Sequence, residues 1–189
     1  MALDPSCCGP TAPGPGDLVI HHRNYRAELT AEQYEKLIFK ASSDTGLSSS
    51  FPFPGPRLLK DLDYEFYEAV LRDAAESAAG PPDTVWVVGE FGDEEPLFKR
   101  LQQDHPNVKS AEMVEDQFHA FCFLSRAPRL VMAHSTFSWW VAFLGVATEV
   151  HFPLTKQNRG VTGPSIAVFE DRYVYRDEAG RVVPPPYQT

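Results

Sequence analysis

Apolar and polar positions divide the chain into short blocks that alternate between two periods. Asp17 to Arg23 (DLVIHHR) holds the compact apolar run Leu18 to Ile20 and reads as a first strand, ending in a polar cluster from His21 to Arg26. Thr30 to Ala41 places Tyr34, Leu37, Ile38 and Ala41 on one helical face, behind Thr30 and Gln33 in capping-box spacing. Ser42 to Pro56 is a long loop, functional or disordered, with Phe51 and Phe53 set between prolines. Asp63 to Ala79 is the clearest amphipathic helix, with Phe66, Tyr67, Val70, Leu71, Ala74 and Ala78 in one stripe and Gly80-Pro81-Pro82 as its stop. Thr84 to Val88 is β-branched and bounded by turns, a second strand followed by the glycine-containing turn Gly89 to Glu95. Asp93 is placed to cap a helix from Glu94 to Gln103, with Pro96 near its first turn. Asn107 to Met113 follows as a third strand. Glu115 to Ala127 is a helix expected to turn Phe118, Phe121, Cys122 and Ser125 inward, with Glu115 and Asp116 in its first turn, where acids suit the dipole.

The densest apolar stretch is Leu130 to Leu154, LVMAHSTFSWWVAFLGVATEVHFPL. Leu130 to Ala133 suits a buried strand, and Ser135 or Thr136 can cap a helix directly after it. Phe137 to Ala147 is apolar almost all round, which predicts a helix buried on most sides, Trp139 and Trp140 included. Val150 to Phe152 is a further strand, stopped by Pro153. Beyond a loop at Thr155 to Pro164, Ile166 to Phe169 and Tyr173 to Tyr175 alternate like strands of a small hairpin, with a second turn at Asp177 to Gly180. The succession of strands and helices predicts an α/β fold: a three-layer Rossmann-like sandwich with a mainly parallel sheet. The expected division is a disordered Pro- and Gly-rich tail over residues 1–16, a nucleotide-binding domain over 17–154 and a C-terminal extension with a hairpin over 155–189.

Composition narrows the function. The 189 residues carry a formal net charge of −9, spread along the chain, whereas a nucleic-acid surface wants clustered Lys and Arg. Cys7 and Cys8 are adjacent and Cys122 sits in a helical pattern, so the cysteines give neither a disulfide framework nor metal spacing. The first residues lack the basic and apolar regions of a signal peptide, and no apolar run reaches membrane-spanning length. A cytosolic location is expected for the chain as given, and the Golgi if an N-terminal part is missing.

In an open α/β sheet, ligands collect beyond the carboxyl ends of the strands. Three features fall there. Arg23 is either an ordinary charge at a strand end or a phosphate-binding guanidinium. Gly89 either makes a plain turn or allows close backbone approach to a ligand. Ser135 and Thr136 either cap a core helix or open an anion site at its N-terminus. A guanidinium, a flexible backbone and a helix N-terminus together suit a diphosphate. There is no GxGxxG after the first strand, no GxxxxGK[ST], and no GxSxG around Ser135 or Ser138.

The run His134-Ser135-Thr136-Phe137-Ser138-Trp139-Trp140 resembles the (N/S)STFSWW motif of family 11 glycosyltransferases, the α-1,2-fucosyltransferases, at six of seven positions. LVIHHRNYR resembles that family's HxRRxD motif: His21 and Arg23 match, Asn24 stands in place of the second Arg, and Arg26 is displaced from it. The resemblance spans roughly residues 17 to 155 and implies one half of a GT-B-type fold, a GDP-fucose donor, a glycan acceptor, inversion at the anomeric carbon and no metal or cofactor. It implies that Arg23 holds the donor pyrophosphate and that His21 shapes the same site. Ser135 and Thr136 would bind phosphate, Phe137 and Ser138 would support their turn, and Asn24, Gly89 and Glu90 would complete the donor site. The family's first motif follows an acceptor-side domain, which is expected to be absent here. Glu90, Asp93, Glu115 and Asp116 are candidates for a catalytic base by residue type. The alternative expectation is a non-catalytic nucleotide-sugar-binding module.

Overall fold

A computed structural model describes residues 12–23, 62–89, 95–111, 116–154 and 171–185. The expected helix at Thr30 to Ala41, the Ser42 to Pro56 loop and the strand at Ile166 to Phe169 lie outside them.

The described residues build a six-stranded sheet in the order β3-β2-β1-β4-β5-β6, every pair parallel. The strands are β1 (Leu18–His21), β2 (Val85–Val88), β3 (Val108–Ser110), β4 (Arg129–Val131), β5 (Glu149–Pro153) and β6 (Tyr173–Arg176). The fold is α/β and Rossmann-like. β1 is central: Leu18 pairs with Val85 on one side and Arg129 on the other. All four of its residues are buried, as expected for a strand covered on both faces. Alternation divides the core. Val19, Leu130, Val150 and Phe152 pack against α3 (Gln117–Ser125) and α4 (Thr136–Leu144). Leu18, Ile20, Val85, Val87 and Val131 pack against α1 (Tyr64–Glu76) and α2 (Pro96–Asp104).

The helices start and stop for local reasons. α1 buries Phe66, Tyr67, Val70, Leu71 and Ala74, the expected stripe without Ala78. Ser77 turns extended and donates its hydroxyl to the Ala74 carbonyl at 2.9 Å, ending the helix before Gly80, whose φ of 77° favours glycine. α2 begins two residues later than the sequence pattern suggests and is capped by Glu95, whose carboxylate accepts from the Phe98 N–H at 2.7 Å. Pro96 explains the shift: the residue before a proline is held out of the α region, so Glu95 becomes the cap and Pro96 the first helical residue. Asp116 likewise caps α3 instead of lying in its first turn, accepting from the His119 N–H at 2.8 Å.

Two expectations about α3 and α4 are corrected. Phe118 is exposed, and Cys122, Phe123, Leu124 and Ser125 face inward. α4 is not buried on most sides: Ser138, Val141 and Ala142 form its inner face, while Trp140, Phe143 and Leu144 are exposed. Successive helical residues rotate by about 100°, so an all-apolar helix in an outer layer presents half its side chains to the outside. Trp139 packs partly into the core, and Trp140 does not.

The sheet runs on past residue 154. Tyr173 to Arg176 joins β5 in parallel, and an antiparallel bridge joins Arg176 to Val182 across the Asp177 to Gly180 turn. Gly180 has φ 76°, and a Cβ there would lie 2.6 Å from the Phe66 carbonyl oxygen, so this turn presses directly on α1. Arg176 is buried and fixes the edge strand. Its Nε donates to His151 Nδ1 at 3.0 Å, and its Nη1 donates to Asp73 Oδ2 at 2.7 Å and to the Gly180 carbonyl at 2.6 Å. Glu149 Oε1 stands 2.7 Å from His151 Nε2 on the other side of the ring. At the opposite end of the sheet, Asp17 ties β1 to β2, accepting from Trp86 Nε1 at 2.8 Å and the Thr84 N–H at 3.2 Å. Among the described residues no helix is long and apolar enough to cross a membrane.

Arg176→Ala leaves Asp73, His151 and the Gly180 carbonyl without their donor and should cost about 3 kcal/mol in a urea titration, as for a broken buried ion pair. Arg181→Ala removes an exposed pair with Asp177 and should cost no more than about 1 kcal/mol. Equal losses would mean that Arg176 does not anchor the edge strand.

Candidate functional site

The strand order reverses direction at β1. From β1 the chain goes to β2 and β3 on one side, then returns to place β4, β5 and β6 on the other. The next described helix after β1 in the chain, α1, packs on one face of the sheet and the helix that follows β4, α4, on the other, and in such sheets the usual ligand crevice lies beyond the carboxyl ends of two strands so related. His21, Arg23, Ser135 and Ser138 meet at this point.

His21 is the last residue of β1 and shares the side of the sheet occupied by Val19, facing α4. Its Nδ1 is hydrogen-bonded to the buried Ser138 hydroxyl in the first turn of α4. The same hydroxyl oxygen accepts the Ala133 N–H at 3.1 Å, and with one proton and a second lone pair it can pair with His21 Nδ1 in either tautomer of the neutral ring. Phe137 packs on the His21 ring with centroids 5.4 Å apart and meets Phe121 of α3 at 5.7 Å. Burial, aided by the positive charge of Arg23 and by His22, holds the His21 imidazole down at about 3, so it is neutral across the physiological range. His22 points to the opposite side of the sheet, where its Nδ1 meets the Tyr67 hydroxyl at 3.1 Å, and burial lowers it to about 4. Its backbone N–H donates to the Val88 carbonyl at 2.8 Å, extending the β1–β2 contact to the strand ends.

Ser135 is the N-cap of α4 and accepts the Phe137 N–H at 3.1 Å. Arg23, two residues beyond His21, reaches the same hydroxyl with Nη1 at 3.4 Å. A guanidinium from the end of β1 and the N-terminus of α4 thus converge on one oxygen. The positive end of the helix dipole and the Arg23 charge reinforce one another there, the electrostatic character of an anion site. Thr136 opens the helix and is exposed. Gly89 is exposed in the bend after β2, whose end neighbours that of β1. Asn24 and Glu90 lie outside the described residues, as do Asp93 and Glu115. Asp116 is occupied as the α3 cap, and that bond to the His119 N–H holds its carboxyl below the usual carboxylate range.

The sequence pattern indicated the hydroxyl turn and Arg23 but not what joins them. The Ser138 bridge to His21 and Ala133 follows from the polar residue at the inward position of an apolar helix, a signal visible only once the facing strand is known. Among the described residues no group of three or more His, Cys, Asp or Glu side chains could hold a metal ion. Comparison with protein-family models, with curated proteins and with solved structures gives no match.

A histidine held neutral in the fold but titrating near 6.5 when unfolded makes the unfolded state bind more protons as pH falls. The contribution of His21 is complete above about pH 6.5 and is lost as pH drops toward its folded value of about 3, at roughly 1.4 kcal/mol per pH unit for each such histidine. His22, and His151, which burial also lowers, act in the same direction. Urea midpoints measured between pH 7 and 5 should therefore decline, and His21→Gln should make the decline shallower. An unchanged slope would mean that His21 is not held neutral.

Proposed function

We propose that the crevice between β1 and β4 binds the diphosphate of a nucleotide-sugar, and that the chain is a fucosyltransferase-like protein using GDP-fucose to modify a glycan hydroxyl. The observation that carries this reading is the convergence of Arg23 and the α4 N-terminus on the Ser135 hydroxyl. It is supported by the resemblance of His21, Arg23 and the Ser135 to Trp140 run to the two motifs of family 11 glycosyltransferases, and by a strand order that opens a ligand crevice at the same place. The domain would then be the donor-binding half of a GT-B-type fold.

The residues divide the work by position. Transfer of the sugar leaves a nucleoside diphosphate that gains negative charge as the glycosidic bond breaks. Fixed donors aimed at that charge lower the barrier. Arg23 supplies a permanent cation and α4 supplies the positive end of a dipole with backbone N–H groups. His21 acts beneath the site. Neutral and buried, it holds Ser138 and so sets the first turn of α4 against the end of β1. Thr136, exposed at the head of the helix, is placed to add a hydroxyl to the phosphate contacts.

A second reading, a nucleotide-sugar-binding module without transferase activity, is favoured by one observation. Asp116, the described candidate for a catalytic base, directs its carboxylate at the backbone of α3.

In differential scanning fluorimetry, GDP and GDP-fucose should both raise the melting temperature. Arg23→Ala should weaken GDP binding roughly tenfold or more, the worth of a hydrogen bond to a charged group. Arg100→Ala should leave it unchanged, because Arg100 lies over the Tyr64 ring, 3.6 Å from its centroid. Absence of a shift with either nucleotide, or equal effects of the two substitutions, would contradict the donor site. A shift without transfer or donor hydrolysis would select the binding module.

A further inference from the structure

The chain after β6 carries a feature that the crevice does not use. Beyond the Asp177 to Gly180 turn it doubles back along the outer edge of the sheet. Val182 bridges Arg176, and the Val183 N–H donates to the Tyr175 carbonyl at 2.9 Å. Val183 is half-buried against the core cluster that holds Tyr173 and Tyr175. Three prolines and a tyrosine follow, Pro184-Pro185-Pro186-Tyr187. Pro184 is exposed and Pro185 half-buried, and from Val183 to Pro185 the backbone is neither helix nor strand. Pro186 and Tyr187 lie outside the described residues and enter through their sequence alone.

Covalent chemistry sets the form of this run. A proline ring holds φ at about −65°, and a residue before a proline is kept out of the α region. Val183, Pro184 and Pro185 each precede a proline. They are therefore committed to an extended, polyproline II-like backbone before any partner arrives, which leaves little ordering entropy to lose on docking. Prolines lack an N–H, and one at position 184 is enough to stop the antiparallel ladder and blunt the sheet edge. The prolines after it and the tyrosine are not needed for that. A polyproline II helix has three residues per turn, so positions i and i+3 share one edge about 9 Å apart. Pro184 and Tyr187 have that spacing, which turns a proline ring and a phenol to the same side of a docked helix. No two of the three prolines are three positions apart, so the run lacks the PxxP pattern read by SH3 grooves. PPPYQT also carries no charge, so rings and not ion pairs must do the recognising. The chemistry that fits is an aromatic-lined groove for paired prolines beside a pocket for a tyrosine, as WW domains provide.

We propose that Pro184 to Tyr187 is a docking motif for a partner bearing a WW-type domain, presented from a fixed point on the sheet edge by the Val183 anchor. The motif follows β6, two strands from β4 in the sheet, so docking does not depend on the donor-site reading. The probe is a labelled, isolated WW domain that binds Pro-Pro-x-Tyr peptides, followed by fluorescence anisotropy. Titration with the full chain to about 100 μM, which populates complexes of micromolar affinity, should give saturable binding. Tyr187→Ala and Pro184→Ala should each weaken it roughly tenfold or more, as for rings that fill pockets, with the circular dichroism of the chain unchanged. Arg181→Ala removes an exposed charge just before the motif and should leave binding intact. An isolated SH3 domain titrated in the same way should not bind. Absence of WW-domain binding at that concentration, or binding that survives Tyr187→Ala, would overturn the proposal. Equal losses with Arg181→Ala and Tyr187→Ala, or tighter binding of the SH3 domain, would overturn it as well.

Discussion

The hydroxyl of Ser138 is the point on which the site depends. It accepts the Ala133 N–H from the end of β4 and meets Nδ1 of His21 at the end of β1. These are the two strands at which the strand order reverses, and the described helices that follow them in the chain pack on opposite faces of the sheet. Without a link below the crevice, the first turn of α4 would be located by apolar contacts alone, those of Phe137 with His21 and Phe121 and those of Val141 and Ala142 further along the helix. With it, the cap at Ser135 stands within reach of Arg23. A buried polar group of this kind is stabilising only while all its partners are present. Burial that keeps His21 neutral avoids placing a charge beside Arg23 at the floor of the site.

α4 therefore serves three environments with nine residues. Its inner face packs on β1, β4 and β5, its N-terminus faces the crevice, and its outer face is apolar where an outer-layer helix is ordinarily polar. C-terminal to it, Gly145 allows the chain to pass so close to α3 that a Cβ would lie 2.8 Å from the Ser125 carbonyl and 2.6 Å from that of Val141. Arg172 donates to the Gly145 and Ala147 carbonyls at 3.2 and 3.0 Å. The helix is thus held at both ends, by a hydroxyl bridge at one and by backbone contact and a guanidinium at the other. Its outer rings are presented on a fixed support.

Much of the fold can be read from the pattern. The apolar runs Leu18 to Ile20, Thr84 to Val88 and Leu130 to Ala133 gave strands, and the alternation of periods gave a parallel α/β sheet. Strand order was not readable, because pairing of β1 with both β2 and β4 is a long-range choice that no local period encodes. The direction of α4 was misjudged for a related reason. An all-apolar helix carries no information about which side faces the sheet, so Trp140 was expected inside and is found outside. Arg176, just past the expected strand Tyr173 to Tyr175, gave no hint of its burial, since its partners Asp73 and His151 come from α1 and β5. Arg23 and Ser135 were recognisable as chemistry-bearing residues because strand ends and helix starts are local features. Their meeting was not, because it depends on the sheet.

The proposed anion site lies between Arg23 and the α4 N-terminus, beyond the carboxyl ends of β1 and β4. Backbone amide chemical shifts of the isotope-labelled chain, followed during a titration with GDP, test it most directly. The account predicts saturable shifts concentrated at Arg23 and at Ser135 to Ser138. Shifts confined to another part of the sheet, or none at saturating nucleotide, would contradict it.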